Sequence, residues 1–144
     1  MRLSGKVFAA CGVWMALLGA YFICLRPALL PEDPRFMGTS IEALHMAAPG
    51  LARWLGHVFD VMGGFMIAAG VLTALVAWQT LPARAPGSLP ALIVAGGFSV
   101  ILMSATNFML GSDFRWVLLA PALLWLAGLA LYVREGTTKS ALSL

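Results

Sequence analysis

Nineteen consecutive residues, VFAACGVWMALLGAYFICL from Val7 to Leu25, carry no charge. A run of that length matches the ~20 residues that an α-helix needs to cross hydrocarbon. Inside a bilayer every backbone amide and carbonyl must be satisfied within the protein, which leaves helices and closed barrels. A secretory leader would have a shorter apolar core ending in small residues. This core ends in bulky ones, so it reads as a retained span.

Three more apolar stretches follow. The second helix is expected from Pro49 to Trp78, with its membrane-crossing part at about 57–78. The third spans 91–110 and the fourth 114–133. Hydrophobic residues make up 61% of the chain and charged residues 10%, against about 25% charged in soluble domains. The fold expected is an all-α, four-helix transmembrane bundle forming a single integral membrane domain over 1–144. Charges are scattered and no basic patch interleaves with aromatics, so a nucleic-acid partner has no support. The lipid bilayer is the first partner.

The segment between the first two spans holds Pro27, Pro31 and Pro34, which argue against regular structure at its start because each removes a backbone donor. Thr39 and Glu42 fit a capping box, and a short interfacial helix from Ile41 to Ala47 should follow. Ser88 and Pro90 suit the start of the third helix. Asp113 suits a cap on the fourth, inside which Pro121 should introduce a bend.

Four spans place both termini on one side. That side holds Arg2, Lys6, Arg84, Arg134 and Lys139, and the other holds Arg26, Arg35, Arg53 and Arg115. Five against four points to cytoplasmic termini, in a bacterial-type inner membrane. Cys11 and Cys24 lie in one helical run about 20 Å apart, too far for a disulfide.

Polar residues gather on the face opposite the termini. Arg53, His57, Asp60 and Gly64 fall on one stripe of the second helix. Asn107 returns to the same depth on the antiparallel third helix, and Arg115 opens the fourth. The stripe is expected to face the bundle interior, with Gly64 as the point of closest helix approach and the Glu32–Asp33 loop folded over it. No comparable group is expected at the termini. Asp60, His57 and Asn107 are the candidate catalytic residues, an acid–base set at the hydrocarbon boundary. Arg53 and Arg115 are the candidate substrate-binding cations. His45 and His57 are separated by a proline and show no metal-ligand spacing. No cofactor is expected, although haem ligation needs a single imidazole and His57 could supply one.

The segment HVFDVMGGFMIAAGVLTA resembles small membrane proteins of the DoxX-like kind, which pair two glycines with a third six or seven residues on, as Gly63, Gly64 and Gly70 do here. The resemblance implies a four-helix fold and a membrane compartment. Asp60 and the proline-rich loop lie outside that pattern, and no catalytic residue carries over. Small residues on the helices favour action by association, as an accessory subunit or homo-oligomer. The alternative is a membrane-embedded isomerase or cyclase using the boundary acids on a lipophilic substrate. A transporter would want an ionisable residue near mid-membrane, and the spans lack one there.

Overall fold

The structure, a computed structural model, describes residues 2–141, with side-chain surroundings through Thr137. Four helices are long and apolar enough to cross a membrane, and no strand occurs among the described residues. The chain is a multi-pass, all-α membrane protein. Its elements are α1 (Leu3–Cys24), α2 (Glu32–Met37), α3 (Ile41–Ala47), α4 (Leu51–Gln79), α5 (Ser88–Met109) and α6 (Arg115–Ala141). A single 3-10 turn, Leu81–Ala83, lies between α4 and α5. Phe65 and Phe98, with 73% and 78% of their surface uncovered, show how apolar the outer face is; in lipid such residues need no cover.

Packing runs in a row: α4 lies on α1, α1 on α6, and α6 on α5. Helices in lipid gain little from hiding apolar surface, so close approach decides which faces meet. Two antiparallel glycine pairs make that approach between α1 and α4. A Cβ placed on Gly12 would stand 2.6 Å from the Gly70 carbonyl oxygen, and one on Gly70 would stand 2.5 Å from that of Gly12. Gly19 and Gly63 repeat the arrangement at 2.5 and 2.6 Å. Each carbonyl therefore sits over the opposing glycine Cα, the geometry of Cα–H···O contacts. Gly12 and Gly19 are seven residues apart, as are Gly63 and Gly70. Seven residues is two turns, so the seam stays on one face of each helix. Buried Gly5 and Ala77 continue it toward the termini.

The core sits in the termini-side half. Phe8, Cys11 and Met15 of α1 meet Leu92 and Val100 of α5 and Trp125 and Tyr132 of α6. Phe8 and Trp125 stack edge to face with centroids 5.1 Å apart. The Trp125 indole N–H donates to the Leu92 carbonyl at 3.0 Å. Its ring lies so close to Gly96 that any Cβ there would overlap it. Just beyond Gly96, α5 widens into a π-helical turn, Gly97–Ile101, a departure that the hydrophobic pattern does not announce. α6 continues through Pro121 without a break. Cys11 is buried, Cys24 is exposed and both are free thiols.

The connections correct several expectations. Pro31 and Pro34 do not prevent a helix; they start one. Pro31 is the N-cap residue of α2 and Pro34 lies in its first turn, where amides have no intrahelical partner to lose. Gly38, at φ 69°, ends it. α3 has the bounds read from the sequence, but its cap is Ser40, whose hydroxyl accepts from the Ala43 N–H at 3.1 Å. Thr39 lies one residue too early for that bond. Gly50, not Pro49, flanks α4. Ser88 is already helical and donates to the Ala85 carbonyl at 2.7 Å. At α6 the hydroxyl of Ser112 accepts from the Phe114 N–H, and the Asp113 carboxylate turns instead to Arg35.

Candidate functional site

α4 is 29 residues long, about 44 Å, so one end stands beyond a ~30 Å hydrocarbon core. Asp60 lies nineteen residues before Gln79, about 28 Å along the axis. That places it at the boundary opposite the termini. His57 is one turn further out. Its Nδ1 and an Asp60 carboxylate oxygen are 3.7 Å apart, with 76% and 54% of the two side chains uncovered. Arg53 is exposed on the same stripe, and a Cβ on Gly64 would meet nothing within 4 Å. Arg53, His57, Asp60 and Gly64 thus share a face as the sequence predicts, but that face points out of the bundle.

The geometric reason is the glycine seam. Gly63 and Gly70 point at α1, and the Asp60 stripe lies about 60–140° around the helix from them. Asn107 and Arg115 are not drawn to it. The Asn107 amide donates to the Met103 carbonyl of its own helix at 2.9 Å. The Arg115 guanidinium donates to the Gly111 and Ser112 carbonyls, each at 3.2 Å. The expected interior cluster of Asp60, His57, Asn107 and Arg115 therefore separates into an outward pair and two locally satisfied side chains.

What the first loop covers is a different place. The Glu32 carboxylate accepts from the Ser112 hydroxyl at 2.7 Å and from the Asp113 N–H at 3.0 Å. Ser112 is 1% exposed. Arg35 reaches Asp113 at 3.0 Å, an exposed pair worth about 0–1 kcal/mol. Arg26 tucks behind the loop, its guanidinium 3.7 Å from the Phe59 ring centroid and 5.3 Å from that of Phe22. Asp33 stands 4.0 Å away and also accepts from the Leu30 N–H at 2.7 Å. Burial pulls the Arg26 pKa below its ordinary value and Asp33 opposes it. These contacts fasten the first connection to the turn between α5 and α6.

The termini side does carry a polar group, contrary to expectation. The Glu135 carboxylate accepts from the Ser4 hydroxyl at 2.6 Å and the Ser4 N–H at 3.1 Å. Arg84, in the left-handed region at φ 52°, donates to the Tyr132 carbonyl at 2.6 Å and lies 4.1 Å from its ring centroid. The connection after α4 is thereby tied to α6, and the start of α1 is tied to the same helix. A signal was available: Glu135 is the single acid on a side with five cations. Of those five, Lys139 lies beyond the described side chains.

No group of three or more His, Cys, Asp or Glu side chains close enough to hold a metal ion occurs among the described residues. Compared with protein-family models, curated proteins and solved structures, the chain matches none, so the DoxX-like resemblance rests on its three glycines alone.

Proposed function

We propose that the protein works by association in the membrane, as a homo-oligomer formed through the outward stripe of α4. One observation supports this above the others: His57 and Asp60 are paired with each other and uncovered, at the depth where hydrocarbon begins. The pair lies where hydrocarbon gives way to headgroups, and ionisable residues near a span usually face a protein interior or water. A second α4 supplies that interior. The stripe is self-complementary, as a two-fold interface requires. In a parallel pair, His57 of each copy lies one turn from Asp60 of the other. Gly64 and Ala68, both uncovered, let the two backbones approach. The five-to-four basic bias supports cytoplasmic termini, which puts the pair on the non-cytoplasmic side of a bacterial-type inner membrane. An enzyme built on His57 and Asp60 would lack Asn107 and Arg115, which are bonded elsewhere, so association is the better-supported reading.

The test is cysteine cross-linking in membranes, in a background with Cys11→Ser and Cys24→Ser. Ala68→Cys should give an oxidant-dependent dimer, and Val13→Cys on α1 should not. Adding Asp60→Asn should lower the dimer yield. Monomers only at both positions would end the homo-oligomer reading. A second, stoichiometric protein captured through Ala68→Cys would replace it with the accessory-subunit reading.

A further inference from the structure

α4 and α5 are neighbours in sequence but not in packing. Between the termini-side halves of the two helices lies a cleft of about 450 Å³, within the ~300–1,000 Å³ of small-molecule sites. Leu72 and Val76 form one wall and Leu92 the other, with Trp125 as the floor. The floor is fixed: the indole N–H is held by the Leu92 carbonyl and the ring by Phe8. At the connection end stand the hydroxyls of Thr80 and Ser88. Among the described residues, Thr73 carries the only other hydroxyl in the lining, and no Asp, Glu, Lys, Arg or His lines the cleft.

Three features identify the occupant. Both walls are membrane-crossing helices, so the mouth opens on hydrocarbon, and its deeper part suits an apolar chain. One end is the turn between spans, at the membrane surface, so a polar group belongs there and a chain belongs deeper. The lining offers no counter-charge, and an unpaired charge in such a place is expensive. Arg84, the one cation in the connection, is turned to Tyr132. We propose that the cleft binds a neutral, single-chain amphiphile whose hydroxyl head meets Thr80 and donates to the Ser88 oxygen, and whose chain runs along Leu72, Val76 and Leu92 to Trp125. Such a molecule enters sideways from the bilayer. The site is separate from the outward face of α4 and is occupied in monomer and oligomer alike.

The experiment uses Trp125 as reporter. Phe replaces Trp14, Trp54, Trp78 and Trp116, and the detergent-purified protein is titrated with a mid-chain dibrominated fatty alcohol, whose bromines quench indole on contact. The alcohol should quench Trp125 saturably, and the matching fatty acid, ionised at neutral pH, should quench far less. Ala95→Phe, which fills the cleft, should abolish the saturable phase. Thr80→Val with Ser88→Ala, which leaves the cleft open, should weaken the alcohol about two- to tenfold, the effect of losing a hydrogen bond. Quenching that never saturates, or that is equal in the parent and in Ala95→Phe, would overturn the site. Equal quenching by acid and alcohol, or an unchanged affinity in the Thr80–Ser88 variant, would overturn its preference for a neutral head.

Discussion

The α1–α4 and α5–α6 contacts both depend on glycine, for opposite reasons. Between α1 and α4, glycine meets glycine, and what each lacks a side chain for is the other helix's backbone. Between α5 and α6, Gly96 makes room for one large side chain, Trp125, whose indole then bonds the α5 carbonyl of Leu92. The first contact has no moving parts. The second is adjustable, because its obstacle can be exchanged. In lipid, where burying leucine against leucine gains little, these are two solutions to one problem: backbone on backbone, or a polar-tipped ring on backbone.

The largest effect should come from breaking the first. In Gly70→Val the new Cβ stands 2.5 Å from the Gly12 carbonyl oxygen and 2.6 Å from the Ala16 nitrogen. Neither atom belongs to a side chain that can turn away, so the helices must part. A loss of about 3 kcal/mol or more is expected, read as failure to recover folded protein or as a collapsed thermal midpoint. Gly63→Ala, 2.6 Å from the Gly19 carbonyl oxygen, should be harmful in the same way. A Gly70→Val protein that melts like the parent would show that the seam is not where the two spans are held.

Gly96→Ala should cost less, about 1–3 kcal/mol, and it should be rescuable. Trp125→Leu removes the ring that the new methyl would strike, at a cost of its own of about 2–4 kcal/mol. The double variant should then be more stable than the two single losses added together, with a coupling of about 1 kcal/mol or more. No side-chain replacement at position 12 or 16 should rescue Gly70→Val. Strict additivity at Gly96 and Trp125 would erase the distinction between the two contacts.

The difference also explains what the sequence revealed. The four spans were legible because helix length in a bilayer is a local rule, and the bounds of α3 because a hydroxyl residue ahead of a short helical pattern marks a start even when the cap itself shifts by one residue. Which face of α4 turns inward was not. The polar stripe of Arg53, His57 and Asp60 suggests an inward face if polar groups are assumed to seek cover inside their own chain. Here the inward face is set by the seven-residue glycine step, which α1 mirrors at Gly5, Gly12 and Gly19. Two stripes compete on one helix, and the one that permits backbone contact prevails. Asp60 can lose that contest because it lies at the boundary, where water, headgroups or another chain can meet it. The Ser4–Glu135 tie at the other end joins residues 131 positions apart, a pairing that periodicity within any one helix cannot reveal.

That tie gives a smaller effect. Ser4→Ala removes the hydroxyl donor from a partly buried Glu135 carboxylate and leaves the backbone N–H donor in place. About 1 kcal/mol should be lost, visible as a small drop in the thermal midpoint. Glu135→Gln in the Ser4→Ala background should then add less than it does in the parent, because the shared bond is already gone.

The smallest effect should appear beside one of the largest. Gly64 follows Gly63 directly, yet a Cβ on Gly64 meets nothing within 4 Å. Gly64→Ala therefore gains helix propensity, up to about 1 kcal/mol, with no collision to set against it. In a detergent that keeps the protein monomeric, the thermal midpoint should stay level or rise slightly. A fall of several degrees would place a packed neighbour over Gly64 and make both glycines part of the α1 seam. Unchanged monomer stability together with a weakened Ala68→Cys cross-link in membranes would separate the two neighbours cleanly, with Gly63 holding the chain to itself and Gly64 holding it to a second copy.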